Sequence, residues 1–175
     1  MLDIRSKIFL VISIVVLTMS FSNPKPSSKE TSVYVFLSET CPICQNYTVT
    51  LKDLYEKYKE QHIRFVGVFP NYYSTQKSID EFKKKYAIPF ELVLDKKAVL
   101  TKHFNATITP EVFIENTSNT ILYSGRIDDT FYSLGKRRTV ISSTELADAL
   151  AAITLKQTVK APKTQAVGCI ISASK

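Results

Sequence analysis

Cys41 and Cys44 are separated only by Pro42 and Ile43, and thiols at that spacing can close a small disulfide ring and reopen it by exchange. The apolar run Val33 to Leu37 precedes the pair, and Cys44, Tyr47, Leu51, Leu54, Tyr55 and Tyr58 follow it at helical spacing. The cysteines therefore sit at a strand-to-helix junction. Free N–H groups and the positive end of the helix dipole favour a thiolate there. Cys41, in the first turn, faces that field and is open to a partner. Cys44, one turn inside, is placed to attack a mixed disulfide formed on Cys41. Two other readings of the motif exist. Half of a zinc site would need two more ligands, and Cys169, His62 and His103 form no second paired cluster. A purely structural disulfide would staple only one turn of helix. No metal and no cofactor is expected.

The remaining candidates are less specific. Thr109-Pro110 precedes a strand, where proline is by default an ordinary strand-start residue, since X-Pro bonds are cis only about 5–6% of the time. Cys169 leaves the thiol count odd. It reads as a packed small hydrophobe, as a third redox thiol that reaches Cys41, or as a thiol for an outside partner. Glu39 lies near Cys41 and would raise the thiol pKa if aimed at the sulfur; a solvated carboxylate is expected. Arg126, Asp128 and Asp129 read as a salt-bridged exit from a hairpin. The sequons at Asn46, Asn105 and Asn116 are taken as chance.

The elements that must carry these residues alternate. Val33 to Leu37 reads as a buried central strand, with Thr40 capping the helix after it and Pro42 in that helix's first turn. Ile63 to Val68 is a second buried strand. Ser78-Ile79-Asp80-Glu81 reads as a capping box for a helix presenting Ile79, Phe82 and Tyr86, which Pro89 ends. Glu91 to Leu94 is a short strand and Ala98 to Phe104 a short helix. Glu111 to Glu115 and Thr120 to Arg126 pair as a hairpin across Asn116 to Asn119. Ser142 to Glu145 caps a last helix with Leu146, Ala149, Leu150 and Ile153 on one face. The order β, α, β, α, β, α, β, β, α requires an α/β fold, a central sheet covered on both faces.

Before these elements, Arg5 and Lys7 precede an apolar run from Ile8 to Phe21 that is short of the about 20 residues a spanning helix needs. Residues 1–22 are expected to be a signal peptide cut after Ser22, or else a signal anchor. Residues 23–31 form a tether, 32–155 the domain, and 156–175 an irregular tail carrying Cys169. The protein is thus expected outside the cytoplasm, in the periplasm, and on the inner membrane only if the leader stays uncleaved. The 175 residues suit one domain, with 45% hydrophobic and 22% charged residues. The net charge of +7 is spread over helix-face lysines with no basic stripe interleaved with stacking aromatics, which argues against nucleic acid.

A buried strand, Cys-Pro-Ile-Cys, a helix, Thr-Pro before a hairpin and a final helix together resemble the thioredoxin superfamily. The extra helix and strand between Val68 and Lys97 resemble the insertion of its redoxin branch, which includes TlpA-like thiol-disulfide oxidoreductases and alkyl hydroperoxide reductase-like proteins. The segments Tyr86 to Asp95, Thr109 to Ile114 and Tyr123 to Asp129 are similar to that branch. The resemblance covers roughly Thr31 to Ile153. It implies that Cys41 is the nucleophile, Cys44 the resolving thiol and Pro110 a cis-proline beside them. Thr109 and Pro42 would then flank bound substrate, with the Thr109 backbone free to pair with an extended segment. It also implies protein thiols or disulfides as partners, together with an upstream redox protein. Peroxiredoxins carry Pro-x-x-x-Thr-x-x-Cys; here Tyr34 and Ser38 stand at the Pro and Thr positions, which weakens peroxide reduction as the main activity. Thiol-disulfide exchange is the expected function. Peroxide reduction and copper or zinc carriage by the same cysteines are the alternatives.

Overall fold

The structure is a computed structural model that describes residues 31–172. The signal segment and nearly all of the tether lie outside the described residues. Thr31–Phe36 forms β1, Ile63–Phe69 β2 and Glu91–Leu94 β3; Glu111–Glu115 forms β5 and Ile121–Gly125 β6. These five make one sheet in the order β3-β2-β1-β5-β6. β1 is central, parallel to β2 and antiparallel to β5. Its continuous apolar run follows from that place, because both faces are covered. Val33 and Val35 point into one core layer, and Phe36 points into the other.

Helices α1 (Pro42–Tyr58), α2 (Gln76–Tyr86) and α4 (Glu145–Thr154) pack on the first face, where Leu51, Phe82 and Leu150 meet β-strand side chains. Helix α3 (Val99–Phe104) covers the second, where Phe104 stacks on Phe113 at 4.9 Å between ring centroids. The expected mixed sheet with helices on both faces, and the inserted α2–β3 unit, are present.

Several local expectations shift. The capping box lies three residues earlier than Ser78. Thr75 Oγ1 accepts from the Ser78 N–H at 3.1 Å and Ser78 Oγ accepts from the Thr75 N–H at 3.0 Å. Serine can close the box as glutamate would, so the pattern Ser78 to Glu81 was a decoy inside the helix. Thr40 is not the cap of α1. Cys41 holds that place with no side-chain cap bond, while the Thr40 hydroxyl turns to Ser38 and Tyr73. Thr144 holds the cap position of α4, also without a side-chain cap bond, its hydroxyl donating to Asp148 at 3.2 Å. Its neighbour Ser143 donates to Glu145 instead. A small hairpin, β7 (Phe131–Ser133) with β8 (Lys136–Arg137), stands where the sequence showed no periodicity.

The largest departure is at the C-terminus. The tail is irregular, as expected, apart from a two-residue strand, but it is hydrogen-bonded to the sheet and to the loops beside it. Ser124 and the tail exchange backbone bonds, Ser124 N–H to Pro162 O and Thr164 N–H to Ser124 O, each at 2.9 Å. Cys169–Ile170 then forms β9, antiparallel to β4 (Ile108–Thr109), with Thr109 opposite Cys169. Farther on, the Ser172 N–H donates to Asn71 Oδ1 at 2.8 Å. A two-residue strand has too few positions to show a period of two, so no sequence pattern announces it.

Candidate active site

Cys41 closes the N-terminal end of α1 and Pro42 fills its first position, where a missing N–H costs nothing. Cys41 is 2% exposed and Cys44 is fully buried. The Ser38 N–H donates to Cys44 Sγ at 3.4 Å. Across from the helix, the Thr109-Pro110 peptide is cis and the Thr109 carbonyl oxygen lies 3.4 Å from Cys41 Sγ. The fold thus brings Cys41, Cys44, Thr109 and Pro110 together, with Pro42 exposed beside them.

Cys169 joins this group. Its thiol donates to Cys41 Sγ at 2.7 Å, and its carbonyl accepts from the Thr109 hydroxyl at 3.3 Å. The backbone edge of Thr109, expected to be free for a substrate strand, is therefore taken by β9. Gly168 makes the approach feasible, since a Cβ there would come within 2.2 Å of the Thr109 carbonyl oxygen. Gly125 serves the same tail at φ +140°, where a Cβ would meet Thr164 Oγ1 at 2.2 Å. Cys41 is consequently less open than its place at the helix start suggests. An apolar hollow lined by Pro42, Ile43, Phe131, Leu134 and Cys169 leads to the group from outside.

The two motif thiols are pushed in opposite directions. Cys41 drops from about 9 to about 5, chiefly because the Cys44 thiol donates to it. Burial opposes this, while the Cys169 thiol and the N–H groups of Cys44 and Ile43 add to it. Cys44 is raised well above its ordinary value, first by burial and then by the Cys41 sulfur it serves. Cys169 is raised to about 12, again by burial first and then by its bond to Cys41. One thiolate with two protonated thiols donating to it is the resulting arrangement. In that state Thr109 O is a neighbour of Cys41 and not its acceptor.

Glu39 does not face the sulfur, nor is it merely solvated. Its carboxylate accepts from Ser74 Oγ at 2.9 Å and Ser78 Oγ at 2.8 Å, tying the loop before Cys41 to the start of α2. The Ser38 hydroxyl is engaged with Thr40 at 3.1 Å and with the Tyr73 hydroxyl at 3.2 Å. Tyr73 and Ser74 were not singled out in the sequence, and no local pattern marks them. The charged group Arg126, Asp128 and Asp129 is structural, but not one cluster. Arg126 pairs with Glu145, while Asp129 pairs with Arg138 at 3.3 Å. Buried Asp128 accepts from the Tyr47 hydroxyl of α1 at 2.6 Å. Among the described residues, no group of three or more His, Cys, Asp or Glu side chains is arranged to hold a metal ion.

Residues 21–130, well over half of the chain, match the family model described as the AhpC/TSA family. The chain belongs to that family. No curated protein matches it. Among solved structures, a hypothetical protein of Sinorhizobium meliloti 1021 superposes at TM-score 0.73 with 21% identity, covering 83% of this chain and 81% of that one. An uncharacterised conserved protein of Geobacillus kaustophilus gives 0.72 and 22%, covering 84% and 78%. A secreted Mycobacterium tuberculosis disulfide oxidoreductase homologous to E. coli DsbE gives 0.53 and 19%, covering 70% and 81%. Likenesses at such identity establish the fold, which is thioredoxin-like. This AhpC/TSA member is accordingly a redoxin of the thioredoxin superfamily.

Proposed function

We propose that the protein is an exported thiol-disulfide oxidoreductase that exchanges disulfides with protein partners through Cys41 and Cys44. The split between the two thiols carries the reading: Cys41 is held as a thiolate near neutral pH while Cys44 stays protonated behind it. The Cys41 thiolate attacks a partner disulfide, forms a mixed disulfide and releases one partner thiolate, which takes up a proton. Cys44 then loses its proton and attacks Cys41 Sγ. The mixed bond breaks, the second partner thiol leaves, and the Cys41–Cys44 disulfide remains. An upstream redox protein returns the pair to its starting state. Export rests on the basic leader with its short apolar run, and the secreted disulfide oxidoreductase among the similar structures is consistent with it. The periplasm is the expected compartment, with inner-membrane attachment if the leader is retained.

A second reading, peroxide reduction by the same thiolate, draws on the family match. Against it, Tyr34 stands at the position of the peroxiredoxin proline, and the Ser38 hydroxyl points to Thr40 and Tyr73. The experiment is a trap. With Cys44 and Cys169 both changed to Ser, partner proteins should accumulate as mixed disulfides on Cys41, visible on non-reducing gels. Adding Cys41→Ser should abolish them. Fast turnover of hydrogen peroxide without any trapped protein would instead favour the second reading.

A further inference from the structure

The C-terminal segment occupies its own active site as an incoming substrate would. A substrate in extended form adds to a free backbone edge as a short antiparallel strand, and its reacting sulfur must reach the nucleophile. β9 does both. It pairs antiparallel with Ile108–Thr109, and the Ile171 N–H donates to Thr107 O at 2.9 Å, extending the pairing by one bond. Cys169 meets Cys41 at 2.7 Å between sulfurs. Three anchors hold the segment on either side: Thr164 against Ser124, Gly168 against Thr109, and Ser172 against Asn71.

We propose that residues 168–171 are a tethered substrate of the Cys41 site, and that Cys169 exchanges into a disulfide with Cys41 which an outside partner must displace. The proposal rests on the thiol-disulfide reading above. In the oxidised protein, the Cys169 thiolate attacks Cys41 Sγ of the Cys41–Cys44 disulfide. The Cys41–Cys169 bond forms and the Cys41–Cys44 bond breaks. Cys44 leaves with the electron pair and takes up the proton that Cys169 gave. No net oxidation occurs, so no further reactant is required. The same attack clears a mixed disulfide on Cys41: the Cys41–Cys169 bond forms and the partner thiol leaves. Burial first, then the bond to Cys41 and that sulfur's charge, raise Cys169 in the reduced protein; burial remains once Cys41 is in a disulfide, while the other two are lost. Cys44 is fully buried, one turn inside the helix. Cys169 therefore sets when Cys41 is available, and the tail competes with partner strands for the Thr109 edge.

The test uses the purified full chain, oxidised glutathione as the disulfide, and non-reducing peptide mapping by mass spectrometry. Cys44→Ser should form the Cys41–Cys169 disulfide and retain about a tenth or less of the glutathione that Cys44→Ser with Cys169→Ser holds on Cys41. Glutathione remaining on Cys41 of Cys44→Ser, with Cys169 a free thiol, would overturn the proposal. Gly168→Ala keeps all three cysteines but drives a methyl group against the Thr109 carbonyl, which displaces the tail. It should raise Cys41 alkylation by iodoacetamide about ten-fold, because access limits a thiolate already formed. An unchanged rate in folded protein would equally count against a tail that covers the site. If wild-type protein shows only Cys41–Cys44, and Cys44→Ser only glutathione on Cys41, the proposal falls while the exchange reading stands. If Cys41 takes up neither glutathione nor any disulfide, the exchange reading itself falls.

Discussion

Cys41 and Cys44 are one helical turn apart and chemically identical, yet their surroundings set them to different tasks. Cys41 has N–H groups and two thiols aimed at it; Cys44 has apolar packing and a neighbouring negative sulfur. The Cys41 thiolate should therefore titrate with a midpoint of about 5, not near the ordinary value of 9. Its absorbance and its rate with iodoacetamide should rise through that pH and stay flat above about 7. A midpoint near 9 would remove the basis for assigning the nucleophile. The same stabilisation favours the reduced form. The pair should accordingly be more oxidising than thioredoxin's about −270 mV when equilibrated against glutathione. Cys41→Ser should abolish exchange altogether, whereas Cys169→Ser should still form the Cys41–Cys44 disulfide but lose the tail's share in holding and uncovering Cys41.

Helix α2 shows how an element off the site still positions it. Its N-terminus is fixed by the reciprocal Thr75–Ser78 bonds, and the Ser78 hydroxyl also donates to Glu39, two residues before Cys41. Thr75→Ala removes one acceptor for an N–H of the first turn. It should lower stability by about 1 kcal/mol in chemical denaturation. Thr75 makes no contact with the sulfurs, so the Cys41 midpoint should stay where it is. A loss below about 0.3 kcal/mol would mean that water caps this helix as well as threonine does. At this scale the sequence was partly legible. The apolar faces of α1, α2 and α4 were readable from their periods, since burial on one side repeats every three or four residues. Helix starts were not, because several polar residues stood near each one and only the folded backbone selects which hydroxyl meets an N–H.

On the scale of the whole molecule, the C-terminal third is stitched to the sheet by polar contacts as well as by core. Asp129 ties down two nearby stretches: it accepts from the Ser142 hydroxyl and from the N–H groups of Ser142 and Ser143, and it pairs with Arg138. The Ser142 hydroxyl is the main cause, followed against burial by the N–H groups, and together they hold the carboxyl at about 2. A depressed carboxyl adds stability above its unfolded value and loses it as pH falls through its folded one. Asp129→Asn should thus be less stable than wild type at pH 5 to 8. The difference should close as pH drops from about 4 to about 2. A gap that persists at pH 2 would mean the loss is one of packing, not of charge. The core makes its own demand: Leu51, fully buried between α1 and the sheet, should cost about 2–5 kcal/mol as Leu51→Ala.

The sequence alone determined the α/β order, the central place of Val33 to Leu37, and the location of Cys41-Pro42-Ile43-Cys44 at a helix start. Each of these is written in neighbouring residues: a continuous apolar run, a helical period, a proline tolerated only in a first turn. Whether Glu39 faces the sulfur was decided by Ser74 and Ser78, which lie far along the chain and come near it only when α2 docks. The role of residues 156–172 was likewise settled only by tertiary structure. Short strands such as β4 and β9 have no period to read, and their pairing depends on residues some sixty positions apart meeting at the Thr109 edge. Cys169 is the clearest case. As a residue it was an odd thiol with three readings, and the folded chain set it against Cys41 through backbone bonds that no local pattern encodes.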